Sequence, residues 1–140
     1  MRLYITATYK GTENRAEAEH LCDLVARSGW EDFCFIRDVE NWQKVFDNPH
    51  DLMRRSLETI LESDALLIDL THKPTGRAYE AGIAYALGKP VIVIMQAGTI
   101  IKDTTRGIAA AIIEYDQVDQ ILKPLADLHE EWQQKTEVTR

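Results

Sequence analysis

Cysteine is scarce. Cys22 and Cys34 are the only two in 140 residues, and neither has a second Cys or His at metal-ligand spacing. That argues against a disulfide framework and a zinc site, and buried free thiols are expected instead. No apolar run approaches the ~20 residues that span a bilayer. The opening Met1-Arg2-Leu3-Tyr4-Ile5-Thr6 is too short and too polar for a secretory signal, so a cytoplasmic protein with no membrane partner is expected. Dense Lys/Arg runs are missing and the net charge is −7, which argues against an extended nucleic-acid surface. The nearest cluster, Arg54-Arg55, reads as a solvated helix face. A small anion is still allowed, because one helix N-terminus and one or two cations can hold a phosphate. The chain has no internal repeat and no low-complexity segment. It also has no GxGxxG, GxxxxGK[ST] or G-x-S-x-G pattern.

What is present suits a single domain over residues 1–140. Hydrophobic residues make up 45% and charged residues 28%, enough for one core and a wet surface. Strands are predicted at 2–8, 33–37, 65–68, 90–95 and 110–114. Helices are predicted at 13–27, 50–62, 76–87 and 118–134, with long loops at 38–49 and 96–107. The run Ala65-Leu66-Leu67-Ile68 is apolar throughout, as in a strand buried on both faces of a parallel sheet. Strands alternating with helices predict an α/β flavodoxin-like three-layer sandwich, its five-stranded parallel sheet in the order 2-1-3-4-5. Ligands of such sheets sit beyond the carboxyl ends of the strands, at the switch point between the first and third.

That rule directs attention to three loops. After the third strand the chain reads Asp69-Leu70-Thr71-His72-Lys73-Pro74-Thr75-Gly76-Arg77-Ala78-Tyr79-Glu80-Ala81-Gly82. Glu80 falls about one turn into the helix, where the crevice and the helix dipole are expected to keep a nucleophilic carboxylate ionised. The plainer reading is an exposed first-turn glutamate. Asp69, a polar residue after four apolar ones, could orient a ligand or donate a proton, or could cap the turn before Gly76. Gly82, costly inside a helix, is expected to mark close packing on the sheet. Thr6, Thr8, Tyr9, Lys10 and Gly11 offer hydroxyls, a glycine and a cation for a phosphate or sugar, and Lys10 and Arg77 can reach an anion. Trp42, and less so Trp30, could stack on a base. Trp132 reads as packing or a dimer contact. His20, His50 and His129 look like helix-surface residues, and His72 has no partner in sequence.

The run Tyr79-Glu80-Ala81-Gly82-Ile83-Ala84-Tyr85-Ala86-Leu87-Gly88-Lys89-Pro90-Val91 resembles the nucleoside 2-deoxyribosyltransferase family. Members carry a similar E-x-G-x-A-x-A-x-G-K-P pattern on the helix after the third strand. The opening from Tyr4 to Gly11 resembles the related 2′-deoxynucleoside 5′-phosphate N-hydrolases, and Ser63-Asp64-Ala65-Leu66-Leu67-Ile68-Asp69 matches the strand before the catalytic helix. The resemblance implies cleavage between deoxyribose C1′ and the base, with Glu80 as nucleophile and water or a second base as acceptor. It implies that Thr8, Lys10, Gly11 and the turn before Gly76 hold the sugar or its 5′-phosphate. It further implies a small-molecule nucleoside or nucleotide as the partner, a homo-oligomer whose site a neighbouring subunit completes, and no metal or cofactor. One departure stands out. Where members usually carry an aspartate that orients sugar or base, this chain has Ser56, which is kept as a candidate substrate contact.

Two other readings stay open. A non-catalytic module of the same fold could bind or sense a nucleotide. An NAD-cleaving domain of the TIR type also uses a helix glutamate in a flavodoxin-like sheet.

Overall fold

The computed structural model describes residues 1–7, 14–72 and 76–138. Strands β1 (Arg2–Ile5), β2 (Glu31–Cys34), β3 (Ala65–Asp69), β4 (Val91–Gln96) and β5 (Ala109–Tyr115) form one sheet in the order β2-β1-β3-β4-β5. Every pairing is parallel, so the flavodoxin-like arrangement expected from the sequence is present. The helices are α1 (Arg15–Arg27), α2 (Phe35–Asp38), α3 (Pro49–Leu61), α4 (Gly76–Ala86), α5 (Asp103–Ile108) and α6 (Leu122–Val138).

The period of two along a strand divides the core. Leu3, Ile5, Leu67, Ile92 and Ile94 face one side and pack with Cys22, Leu24 and Val25 of α1 and Leu125 of α6. Tyr4, Leu66, Ile68, Val91 and Val93 face the other, against Ile60 of α3 and Ala81 and Ala84 of α4. β3 and β4 are buried on both faces, as their unbroken apolar runs require. Each fully buried aliphatic side chain contributes about 1.5–3 kcal/mol.

Local chemistry sets the ends of the elements. Asn48 caps α3 by accepting the His50 N–H at 2.9 Å, and Pro49 takes the first helical position, where its missing N–H costs nothing. α4 stops at Gly88, whose φ of +74° suits a left-handed helix end.

Three expectations need correction. The second strand does not run to Arg37. The Cys34 N–H donates to the Asp38 carboxylate at 2.9 Å, and Arg37 grips Asp38 and Asp32, closing the short α2. The 96–107 loop contains most of a further helix, α5. Gly82 is exposed, and a Cβ there would meet nothing within 4 Å, so helix–sheet packing does not explain it.

The tryptophans are structural. The Trp30 indole donates to the Leu125 carbonyl at 3.0 Å and meets Trp132 edge-on at 6.0 Å, tying α6 to its own sheet. Trp42 is 7% exposed, within the α1-side cluster, with the Arg15 guanidinium 4.9 Å above its ring. Asn41 and Trp42 have φ of +48° and +61°, costly for residues with a Cβ. The buried indole and the Trp42 N–H, donating to the Ile36 carbonyl at 2.7 Å, hold that turn in place. Neither Trp30 nor Trp42 presents a free face to a base.

Arg54 and Arg55 pair with Asp51 and Glu58 on α3, a solvated helix face. Among the described residues no helix is long and apolar enough to cross a membrane.

Candidate active site

The carboxyl ends of β1 and β3 open at the predicted switch point, and α4 begins there. Glu80 lies one turn into α4, followed by Ala81, which packs on the sheet beside Tyr4. It is half-buried rather than exposed. Burial pushes its carboxyl up to about 7. The Tyr4 hydroxyl opposes that rise by hydrogen-bonding to the carboxylate, Cys34 and Glu40 add to it, and the Arg77 charge lowers it. Desolvation thus works against the pull of the helix dipole and outweighs both stabilising groups.

Tyr4 is what sequence reasoning missed. It is fully buried, and its hydroxyl lies 3.4 Å from Ser56 Oγ. Burial drives its own ionisation far above the ordinary tyrosine range, so it meets Glu80 only as a neutral donor. The available signal was a tyrosine between Leu3 and Ile5, which period two points to the opposite face from its aliphatic neighbours. Ser56, proposed as a substrate contact, is 2% exposed and lies beside Tyr4. It lies against that buried tyrosine and does not line an open surface.

Asp69 is occupied. Its Oδ1 accepts from the Thr71 N–H at 2.9 Å and the Thr71 hydroxyl at 2.7 Å, and its Oδ2 accepts from the Tyr115 hydroxyl at 2.7 Å. The first of these bonds is the turn-capping arrangement. Thr71 Oγ1 also accepts the Gln96 N–H at 3.0 Å, so Asp69 stitches the β3 and β4 ends together through Thr71. Three of its acceptor positions are thus taken within the turn and by the edge strand.

Beside this turn lies a polar cavity of about 360 Å³, lined by Thr6, Glu17, Asp69, His72, Arg77 and Tyr115, among others. Thr6 is 2% exposed, and its hydroxyl is a buried group with no partner among the described residues; so is Arg77 Nε. Arg77 Nη1 donates to the Asp69 carbonyl at 3.0 Å, and the same side chain feels the charges of Glu80 and Glu17. It thus links the polar cavity to Glu80, which lines neither this cavity nor the apolar cleft between α4 and α5. Gly76 opens α4, with free space where a Cβ would sit. Thr8, Tyr9, Lys10 and Gly11 fall outside the described residues. Among the described residues no group of three His, Cys, Asp or Glu could hold a metal ion.

The fold and site define a class: a flavodoxin-like domain with a half-buried carboxylate on the helix after β3, at the switch point. The family model for nucleoside 2-deoxyribosyltransferase matches residues 3–135, and the chain belongs to that family. Its chemistry concerns the glycosidic bond of nucleosides. Among solved structures, the CMP N-glycosidase BcmB of Clostridium botulinum is 22% identical, with a TM-score of 0.65 over 91% of this chain and 99% of that one. The 2-deoxyribosyltransferase of Bacillus psychrosaccharolyticus is 20% identical, with a TM-score of 0.69 over 88% and 91%. A signal receiver domain of a putative LuxO repressor from Vibrio parahaemolyticus reaches 0.58 at 12% identity, over 99% and 96%. These likenesses establish the fold. A comparison with curated proteins finds no match.

Proposed function

We propose that this protein cleaves, or transfers across, the N-glycosidic bond of a (deoxy)nucleoside or its 5′-monophosphate through a covalent glycosyl-Glu80. The observation that carries this reading is Glu80, half-buried one turn into α4 at the switch point of the sheet, its carboxyl raised by burial. A Glu80 oxygen bonds to C1′ as the C1′–N bond breaks, and water or a second base then displaces the glutamate. Burial costs the carboxylate its hydration, which makes it more reactive, and Tyr4 fixes its aim. Arg77, with the unpartnered Thr6 hydroxyl, is suited to the sugar or its 5′-phosphate. The relatives named a CMP N-glycosidase and a 2-deoxyribosyltransferase support this substrate class.

The test incubates the protein with deoxynucleosides, 5′-monophosphates including CMP, and NAD, and measures released base by chromatography. Base release that is lost in Glu80→Gln, with ligand binding retained, is expected. A competing free base separates transfer from hydrolysis. No release from any substrate, with Glu80→Ala binding the ligands as well as the parent, would favour the second reading, a non-catalytic nucleotide-binding or sensing module. Ser56 is the observation on that side, since the family resemblance implies an aspartate there and a serine supplies no carboxyl.

Homo-oligomerisation belongs to the same proposal. Tyr79 and Tyr85 on α4 are 70% and 55% exposed, and Met53 and Leu61 on the neighbouring α3 are exposed too. Light scattering after gel filtration tests it: a mass of 16.0 kDa refutes it. Two buried free thiols suit a reducing, cytoplasmic setting.

A further inference from the structure

Gly82 stands exposed in the middle of α4, with open space where a Cβ would sit, although a glycine inside a helix costs about 1 kcal/mol relative to alanine. No described neighbour explains that cost. Around it the exposed side of α4 carries Ala78, Tyr79, Tyr85 and Ala86 and no charge. The exposed sides of α1, α3 and α6 differ, since ion pairs three or four residues apart run along each of them.

Resting on the homo-oligomer reading above but on no chemistry at Glu80, we infer that this side of α4 is the contact with a second copy of the chain. The two helices cross antiparallel on a two-fold axis at Gly82. Three features of the helix argue for it. First, its exposed side is its own complement. A two-fold axis at residue 82 pairs each position with the one equally far beyond the axis. The five exposed positions read A-Y-x-x-G-x-x-Y-A, the same in both directions. The four between them, Glu80, Ala81, Ile83 and Ala84, are buried or half-buried, and only they break the symmetry. Tyr79 therefore meets the partner's Tyr85, and Ala78 the partner's Ala86.

Second, Ala78, Gly82 and Ala86 recur every four residues and so line up on one side of the helix. Small residues there let two backbones approach closely, which gives the glycine a purpose that its own chain does not. Third, the surface has the size and chemistry of an interface. Interface cores are rich in tyrosine and poor in charge. Tyr79 and Tyr85, 70% and 55% exposed, present roughly 250 Å² between them. A stable interface buries about 800 Å² on each partner. The patch extends toward that through Ile100, 94% exposed at the cleft that Ala78 also lines, and through Met53, Leu57 and Leu61 on the neighbouring α3.

A residue on a two-fold axis meets its own copy, so Gly82→Glu and Gly82→Lys test the placement. Sedimentation equilibrium is run on the parent, on each variant and on an equimolar mixture of the two variants. The parent is expected at an even multiple of 16.0 kDa. Each variant alone sets like charges against each other and should associate about 100-fold more weakly or worse. The mixture sets glutamate against lysine and should regain the parent's mass. A parent of 16.0 kDa overturns this inference and the homo-oligomer reading together. An oligomer that both variants leave intact overturns the α4 contact and leaves the homo-oligomer reading standing. Variants that come apart and stay apart when mixed overturn the axis at Gly82. Far-ultraviolet circular dichroism of both variants is expected to match the parent, since each new residue favours a helix more than glycine and has room for its Cβ. Tyr79→Ala, off the axis on an exposed side chain, gives a second reading. Association about tenfold weaker is expected, and an unchanged dissociation constant overturns the contact.

Discussion

Glu80→Gln should stabilise the protein, and by an amount that depends on pH. Burial lifts the Glu80 carboxyl from its ordinary 4.5 to about 7. Between these values the folded chain holds a proton that the unfolded chain has released. Stability therefore falls as pH rises through that window, and the full penalty persists above it. At about 1.4 kcal/mol per pKa unit the ceiling is about 3 kcal/mol, and the partial solvent access of Glu80 lowers this to roughly 2 kcal/mol. Glutamine keeps the shape and a neutral hydrogen bond to Tyr4 but never ionises. The gain should be close to nil at pH 4 and complete by pH 8. Urea denaturation of parent and variant at pH 4, 6 and 8, followed by far-ultraviolet circular dichroism, measures it. A gain that is flat across pH, or a variant less stable than the parent at pH 8, refutes the claim that a desolvated carboxylate sits at this position. The assay needs no substrate, so it judges the electrostatics of the site independently of the activity.

Tyr4→Phe keeps the ring packed 5.5 Å from Phe33 but removes the hydrogen bond that favours the Glu80 carboxylate. A charge-assisted bond of about 1.5 kcal/mol is about one pKa unit, so the acid limb of kcat/KM should move up by about one pH unit; an unmoved limb speaks against Tyr4 as the orienting donor. Trp42→Ala empties a site that is 7% exposed and should cost about 3–5 kcal/mol in denaturant unfolding. A loss below about 1 kcal/mol would mean that the indole is not core. Tyr115→Phe removes the 2.7 Å bond to Asp69 and should cost about 1–3 kcal/mol. In the parent, burial beside Asp69 holds the Tyr115 hydroxyl up at about 12, so ultraviolet titration should show one tyrosine ionising near there that the variant lacks.

Much of the fold was legible because it follows short-range rules. The apolar runs of β3 and β4, Asn48-Pro49 at the start of α3 and Gly88 at the end of α4 each act through neighbours in the chain. The position of Glu80 on its helix was legible for the same reason, since an α-helix places a residue by counting. The state of Glu80 was not legible. Its charge depends on Tyr4 from β1 and on Cys34 and Glu40 from around β2, groups 40 or more positions away that only the parallel sheet brings close. Trp42 was misjudged because a loop tryptophan reads as exposed until a left-handed turn tucks it into the core. Asp69 was left between two readings until Tyr115, from the far edge strand, supplied a second partner. The sequence alone thus determined the architecture and the place of Glu80 on its helix, through local periodicity and caps. The tertiary structure decided what surrounds that residue, because desolvation and hydrogen bonding are properties of groups assembled in space.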